Sequence, residues 1–161
     1  MLKTNFIYAC VAILIVTCTA VTYFNQKKDD SFENANEKGD YAPREIDWNI
    51  LKGLNYKTGR QSEEITKLSG SRVKIAGFLI PLEDNLEFVQ EFLFVPSPMA
   101  CIHVPPPPPN QVIHVKMASG RKAKMSYGPI WLTGRIRVLE VIGPYGKSSF
   151  QMVGETTSPY H

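Results

Sequence analysis

From Arg72 to the C-terminus the chain alternates apolar and polar residues at the two-residue period of a β-strand, broken by glycine- and proline-rich turns. In the first such stretch, Arg72–Leu82, Val73, Ile75 and Gly77 share one side, and Lys74 and Ala76 the other. Phe88–Val95 and Gln111–Met117 predict the second and third strands. Ile130–Ile142 predicts the longest. Leu132, Gly134, Ile136, Val138 and Glu140 lie on one of its sides, and Trp131, Thr133, Arg135, Arg137 and Leu139 on the other. Ser148–Thr156 predicts a fifth strand after the turn Gly143-Pro144-Tyr145-Gly146. Ahead of these strands the period lengthens. Ile46, Ile50, Leu51 and Leu54 follow a helical face that Gly53 keeps short, and Trp48 and Tyr56 are expected to pack on the body's surface. Ser62, followed by Glu63 and Glu64, reads as the N-cap of a second helix that ends by Gly70. Glycines inside strands let a sheet bend or bulge at a barrel corner. Gly77 and Gly134 therefore favour a mainly β fold, a small five-stranded barrel of the oligonucleotide/oligosaccharide-binding (OB) type with one or two short N-terminal helices. A small open sandwich is the alternative.

The N-terminus follows a different pattern. Phe6–Phe24 carries no charge and is preceded by Lys3 and followed by Lys27 and Lys28. At about 1.5 Å per residue such a helix just spans a bilayer core of about 30 Å. It predicts a signal peptide or an uncleaved membrane anchor within residues 1–24, with lipid attachment at Cys18 a third reading. Residues 25–44 are dense in charge and poor in apolar side chains, and predict a flexible polar tether. The barrel domain is expected over residues 45–161, outside the cytoplasm. It would be periplasmic, held at the inner membrane or released into the periplasm.

The chain has 161 residues, 43% of them apolar and 20% charged, with a net charge of +3. These values describe one ordinary domain with an appendage, and the charge is too small to imply a polyanionic partner. Two of the three cysteines lie in the first twenty residues, so Cys101 alone remains in the body and no disulfide framework is available. Residues 111–150 carry Lys116, Arg121, Lys122, Lys124, Arg135, Arg137 and Lys147 against Glu140. That is a basic face for anionic lipid, an acidic partner or simply solvent. Export argues against nucleic acid.

The unusual segment is Pro96–Gln111. Pro105, Pro106, Pro107, Pro108 and Pro109 fix φ, remove backbone donors and dictate a polyproline II rod. The rod, with Asn110 and Gln111, suits a partner-binding surface, or a strut that positions Cys101 and His103. Those two side chains are two residues apart and share a face of an extended chain. They suit zinc or copper(I), with His114 and Glu83 as further candidate ligands. They equally suit a nucleophile and its base, or a buried thiol beside a surface histidine. No third catalytic partner and no glycine-rich oxyanion loop accompanies them.

Three phrases carry a family resemblance: Gly77-Phe78-Leu79-Ile80-Pro81-Leu82-Glu83, Glu91-Phe92-Leu93-Phe94-Val95-Pro96, and Ala100-Cys101-Ile102-His103-Val104 through the prolines to Gln111. With Gly128-Pro129-Ile130-Trp131-Leu132-Thr133-Gly134, they resemble domain-of-unknown-function family 3299, a bacterial family of exported proteins. The resemblance covers about Ile46–Tyr160, and the chain departs from the family at Ser97-Pro98-Met99. It implies a cell-envelope protein with an OB-like barrel, of a kind found beside genes for envelope ABC transporters and zinc-responsive proteins. The expected function is a non-catalytic envelope accessory protein that binds zinc or copper and associates with an ABC transporter component or another envelope membrane protein. The alternatives are a Cys-dependent envelope enzyme and an OB-type binding module for an anionic ligand.

The uncharged Phe6–Phe24 run has a direct consequence. A reporter fused after Thr157 should be active only outside the cytoplasm, and cytoplasmic activity would reopen the nucleic-acid reading.

Overall fold

The structure, a computed structural model, describes residues 42–84, 87–98, 106–143 and 146–160. Its strands are β1 (Arg44–Glu45), β2 (Arg72–Pro81), β3 (Phe88–Val89), β4 (Glu91–Val95), β5 (Ile113–Met117), β6 (Ala123–Lys124), β7 (Ile130–Gly143) and β8 (Gly146–Pro159). Two short helices precede β2, α1 (Trp48–Leu51) and α2 (Glu63–Leu68), and Pro109–Gln111 form one turn of 3-10 helix. The fold is mainly β, as the two-residue periodicity predicts.

The main sheet has the order β1-β2-β4-β5-β8-β7, and β7 pairs again with β2. Each of β2, β4, β5, β8 and β7 therefore has two strand neighbours among the other four. These pairings are antiparallel except β5 with β8, which run parallel. Strand β2 serves two partners in succession. Residues 72–77 pair with β7 and residues 78–81 with β4. The handover falls at Gly77, where an added Cβ would stand 2.7 Å from the Val95 carbonyl oxygen and 2.9 Å from the Phe94 ring. Gly134 marks the second bend. The β7–β8 register shifts between Thr133 and Gly134, and a Cβ there would run into the Val153 carbonyl. Both glycines thus do what their mid-strand positions predict.

Alternation decides what is buried. Val73, Ile75 and Leu79 of β2 and Ile130, Leu132 and Ile136 of β7 all lie in the core, with Phe92, Phe94, Ile113, Phe150 and Met152 from the other strands. The helices close over this core. Asp47 caps α1, its Oδ1 accepting from Asn49 N at 2.8 Å and Ile50 N at 3.0 Å. Ser62 Oγ caps α2, accepting from Ile65 N at 3.4 Å. Ile46, Leu51, Leu54, Ile65 and Leu68 are buried beneath them. Trp48 goes deeper than its expected place on the surface. It is half-buried, its Nε1 donates to the Ala76 carbonyl at 2.6 Å and its ring lies 6.0 Å from that of Phe94.

Several boundaries differ from those expected, including β8, which runs over Gly146–Pro159 rather than Ser148–Thr156. The expected strand Phe88–Val95 is cut at Gln90, because the Glu83 carboxylate accepts from Gln90 N at 2.9 Å and Glu91 N at 2.7 Å. The chain turns there, and β3 leaves to pair with the two-residue β6 in a separate small sheet. The third strand starts at Ile113, since Pro109–Gln111 spend their hydrogen-bonding groups on a helical turn. Arg44, placed in the tether by composition, pairs with Val73. The Phe6–Phe24 run and tether residues 25–41 lie outside the described residues. Among those described, no helix is long and apolar enough to cross a membrane.

Gly77→Ala should lower the unfolding free energy by about 1–3 kcal/mol, the usual cost of overpacking, because its Cβ meets backbone rather than a flexible side chain. Gly128→Ala, with the nearest atom 4.0 Å away, should change it by less than about 0.5 kcal/mol. Urea unfolding followed by tryptophan fluorescence measures both.

Candidate functional site

The proline run is fastened to the body at its C-terminal end. Asn110 Nδ2 donates to the Leu54 carbonyl at 2.9 Å. Gln111 Nε2 donates to the Trp48 carbonyl at 3.0 Å and to the Asn110 carbonyl at 2.9 Å. Both side chains are buried. Sequence reasoning grouped Asn110 and Gln111 with the prolines as partner-binding residues, whereas here their amides tie the rod to the α1 segment. Pro108, with φ −62° and ψ 153°, has the polyproline II conformation that its neighbours impose.

Held this way, Pro106, Pro107 and Pro109 form one wall of a groove of about 460 Å³. Its remaining lining is Ile80 of β2, Leu93 and Val95 of β4, Val112, and Gly146 and Lys147 of β8. The volume falls in the range of small-molecule sites, about 300–1,000 Å³. The groove is apolar because β2 and β4 carry apolar residues on their outward as well as their inward side at this point. Ile80 pairs with Leu93 across the two strands.

A second cavity, about 340 Å³, adjoins the first, and Leu93 and Gly146 line both. It is lined further by Leu82, Glu91, His114, Val141, Ile142, Gly143 and Ser148. His114 stands opposite Leu93 on β5, and its Nε2 is 2.9 Å from Glu91 Oε1. Its Nδ1 is buried and has no hydrogen-bond partner, as is the Ser148 hydroxyl.

Of the residues expected to hold metal, Glu83 and His114 are among those described. Glu83 is spent on the backbone at Gln90 and Glu91, and His114 on the Glu91 carboxylate. Cys101, His103 and Pro105 lie outside the described residues. Among the described residues no three of His, Cys, Asp and Glu come together as a metal-binding group. Glu91 and Ser148 escaped sequence reasoning. Glu91 leaves a trace as the one charge in an otherwise apolar strand, but its pairing with His114 depends on register, which no single strand encodes. Of the seven basic residues, Arg121 donates to the Glu155 carbonyl at 3.0 Å and Lys147 pairs with Glu140 at 3.2 Å. Arg135 donates to the Gly70 carbonyl at 3.4 Å and Arg137 to Gln151 Oε1, while Lys116, Lys122 and Lys124 are exposed.

Residues 26–159 match the family described as "Protein of unknown function (DUF3299)". The chain belongs to this family. The crystal structure of a DUF3299 family protein from Pseudomonas aeruginosa PAO1 is similar to it, at 29% sequence identity and a TM-score of 0.59 over 75% of this chain and 98% of the other. No curated protein matches the sequence. The match begins before the described strands, in the polar tract, and extends through β8, so it includes the proline segment and both cavities.

Proposed function

We propose that this DUF3299 protein is a non-catalytic accessory protein of the cell envelope that binds its ligand on the outer face of β2, β4 and β5. The carrying observation is the groove walled by Pro106, Pro107 and Pro109 and floored by Leu93 and Val95. A free proline spacer would leave those aliphatic side chains to water. A rod tied down at Asn110 and Gln111 gives them a preformed apolar site, with little conformational entropy left to lose on binding. Fold topology supports the same face. The order β2-β4-β5-β8-β7, returning to β2 with β5 and β8 parallel, fits an OB-like barrel. In such barrels the second and third strands and the flanking loops bind ligands. Here those strands are β4 and β5, and the β7–β8 hairpin flanks them. The Phe6–Phe24 run supports placement at or beyond the inner membrane, where an ABC transporter component or another envelope membrane protein is the proposed partner.

Native mass spectrometry of the full-length chain released from the envelope tests the groove. The wild-type chain should retain a bound mass, and Leu93→Glu should lose it while keeping its fold. An empty wild-type chain, or a mass unaffected by Leu93→Glu, would overturn the reading.

Zinc or copper(I) binding at Cys101 and His103 belongs to the same proposal. It is supported by the chemistry of a thiolate and an imidazole two residues apart, directly before the rod. Metal content of the full-length chain should fall to background in Cys101→Ser. A wild-type chain without zinc or copper removes the metal from the proposal and leaves the groove.

A further inference from the structure

The first half of β7 takes no part in the groove or in the cavity beside it. β7 pairs with β2 and β8, not with β4 or β5. Its outward residues Trp131, Thr133, Arg135 and Arg137 alternate with buried ones. Register sets their neighbours. Arg72 and Lys74 of β2 stand opposite Arg135 and Thr133, and Gln151 of β8 stands opposite Arg137. Two acids meet this face: Glu155 Oε2 is 2.7 Å from Arg72 Nε, and Glu45 Oε2 is 3.4 Å from Lys74 Nζ. Arg121 reaches its β8 edge, donating to the Glu155 carbonyl at 3.0 Å. Among the described residues the face therefore gathers five cations and two acids. The acids Glu83, Asp84, Glu87 and Glu91 fall elsewhere, between the end of β2 and the start of β4.

Charge is half of the pattern. Trp131 ends the face, with the Tyr160 ring 5.2 Å from its own and Lys74 Nζ 4.0 Å from its centroid. Tyr160 is 48% exposed. Rings with an apolar body and a polar edge, set beside Lys and Arg, suit the headgroup level of a bilayer, where the rings sit among the headgroups and the cations meet phosphate. The chain also enters the body here. Arg44 and Glu45 of β1 lie along β2 at Val73 and Lys74, and Glu45 is one of the two acids on the face. Only the 17 residues 25–41 separate the uncharged run from the described body. With an anchor in residues 1–24, even full extension at about 3.3–3.6 Å per residue keeps β1 within about 60 Å of the bilayer. Each cation brought to an anionic leaflet adds about fivefold in affinity. That excess is modest for a free protein, and covalent attachment makes it effective by raising the local concentration of lipid.

We propose that the outward face of β2 and β7, centred on Lys74, Arg135 and Arg137 with Trp131 and Tyr160 at its end, docks on the anionic phospholipid surface of the membrane that anchors the chain. This rests on the envelope placement proposed above, with the anchor uncleaved, and adds the orientation of the body. β4 and β5, which floor the groove, are not neighbours of β7, so the groove stays clear of the lipid and open to a partner.

The test reconstitutes the full-length chain in vesicles of phosphatidylglycerol or of phosphatidylcholine, each with a dansyl-labelled headgroup, and reads energy transfer from tryptophan. Both tryptophans report on this face, Trp131 from within it and Trp48 through its bond to the Ala76 carbonyl. Phosphatidylglycerol should raise the docking equilibrium constant at least about tenfold over phosphatidylcholine, read as higher transfer. Raising NaCl from about 0.05 M to about 0.5 M shortens the screening length about threefold and should bring the two lipids level. Arg135→Gln with Arg137→Gln should do the same without added salt. So should Thr133→Glu, which sets an acid in the middle of the face and carries the test if the arginine variant fails to fold. Lys116→Gln with Lys124→Gln, the same charge removed from β5 and β6, should leave the preference intact. Equal transfer in the two lipids, from a chain that stays with the vesicles, overturns the docking and leaves the anchor. A preference lost as fully in Lys116→Gln with Lys124→Gln overturns the choice of face. A contact that polygalacturonate or polyglutamate displaces at equal charge overturns lipid as the partner. A chain that washes off both kinds of vesicle overturns the anchor and the docking with it.

Discussion

Strand β2 hydrogen-bonds to β7 through residues 72–77 and to β4 through residues 78–81. The two partners take successive stretches of the strand, and the change falls where its backbone closes on the next chain. Gly77 is that place, and the Val95 carbonyl occupies the space a side chain would need. The consequences spread outward. The strand order returns to β2, so the inward residues of all five strands meet in one core. Because β2 turns away from β7 at Phe78, its last residues lie beside β4, and Ile80 faces the same side as Leu93. Without the handover there is neither a common core nor a continuous aliphatic floor.

The proline segment depends on that floor and on two buried amides. A polyproline rod has no internal hydrogen bonds, so nothing within it fixes where it lies. Its position is set from one end, where Asn110 and Gln111 donate to carbonyls of the α1 segment. These bonds span 56 and 63 residues of sequence, and they are the reason the rod meets Leu93 and Val95 rather than solvent. Stiffness then becomes useful. Prolines with fixed φ keep the wall in place with no ligand present, at little further entropic cost when one binds.

Two glutamates link the turn after β2 to the polar cavity. Glu83 accepts the backbone N–H groups of Gln90 and Glu91, which ends β3 and aims β4. Glu91, at the first position of β4, then reaches His114 across the sheet and holds its ring by Nε2. Glu83 thus shapes the site without entering it. A residue singled out for metal chemistry turns out to position the strand that carries the histidine's partner.

The sequence by itself determined the local features of this protein. Period-two alternation marked the long strands and sorted the residues of β2 and β7 onto two sides. Asp47 and Ser62 stand where a short polar side chain caps a helix, and Ser62 could be read in advance. The prolines called for extended backbone, which Pro108 adopts, whereas Pro109, expected at the end of the rod, opens a 3-10 turn. Each of these follows from φ/ψ preference or from residues a few positions apart, which is information a short window contains. The tertiary structure decided the rest. The break at Gln90 needs a carboxylate seven residues away to fold back on the strand. The pairing of His114 with Glu91 needs the register of β4 against β5, and a slip of one residue would put His114 on the opposite face. Ser148 joins the same cavity only because the β7–β8 hairpin flanks β4 and β5. Asn110 and Gln111 looked like the end of a binding segment, and became anchors because their partners at Leu54 and Trp48 lie far off in sequence. Register and long-range hydrogen bonds are set by how whole strands pack, and no local pattern of residues records them.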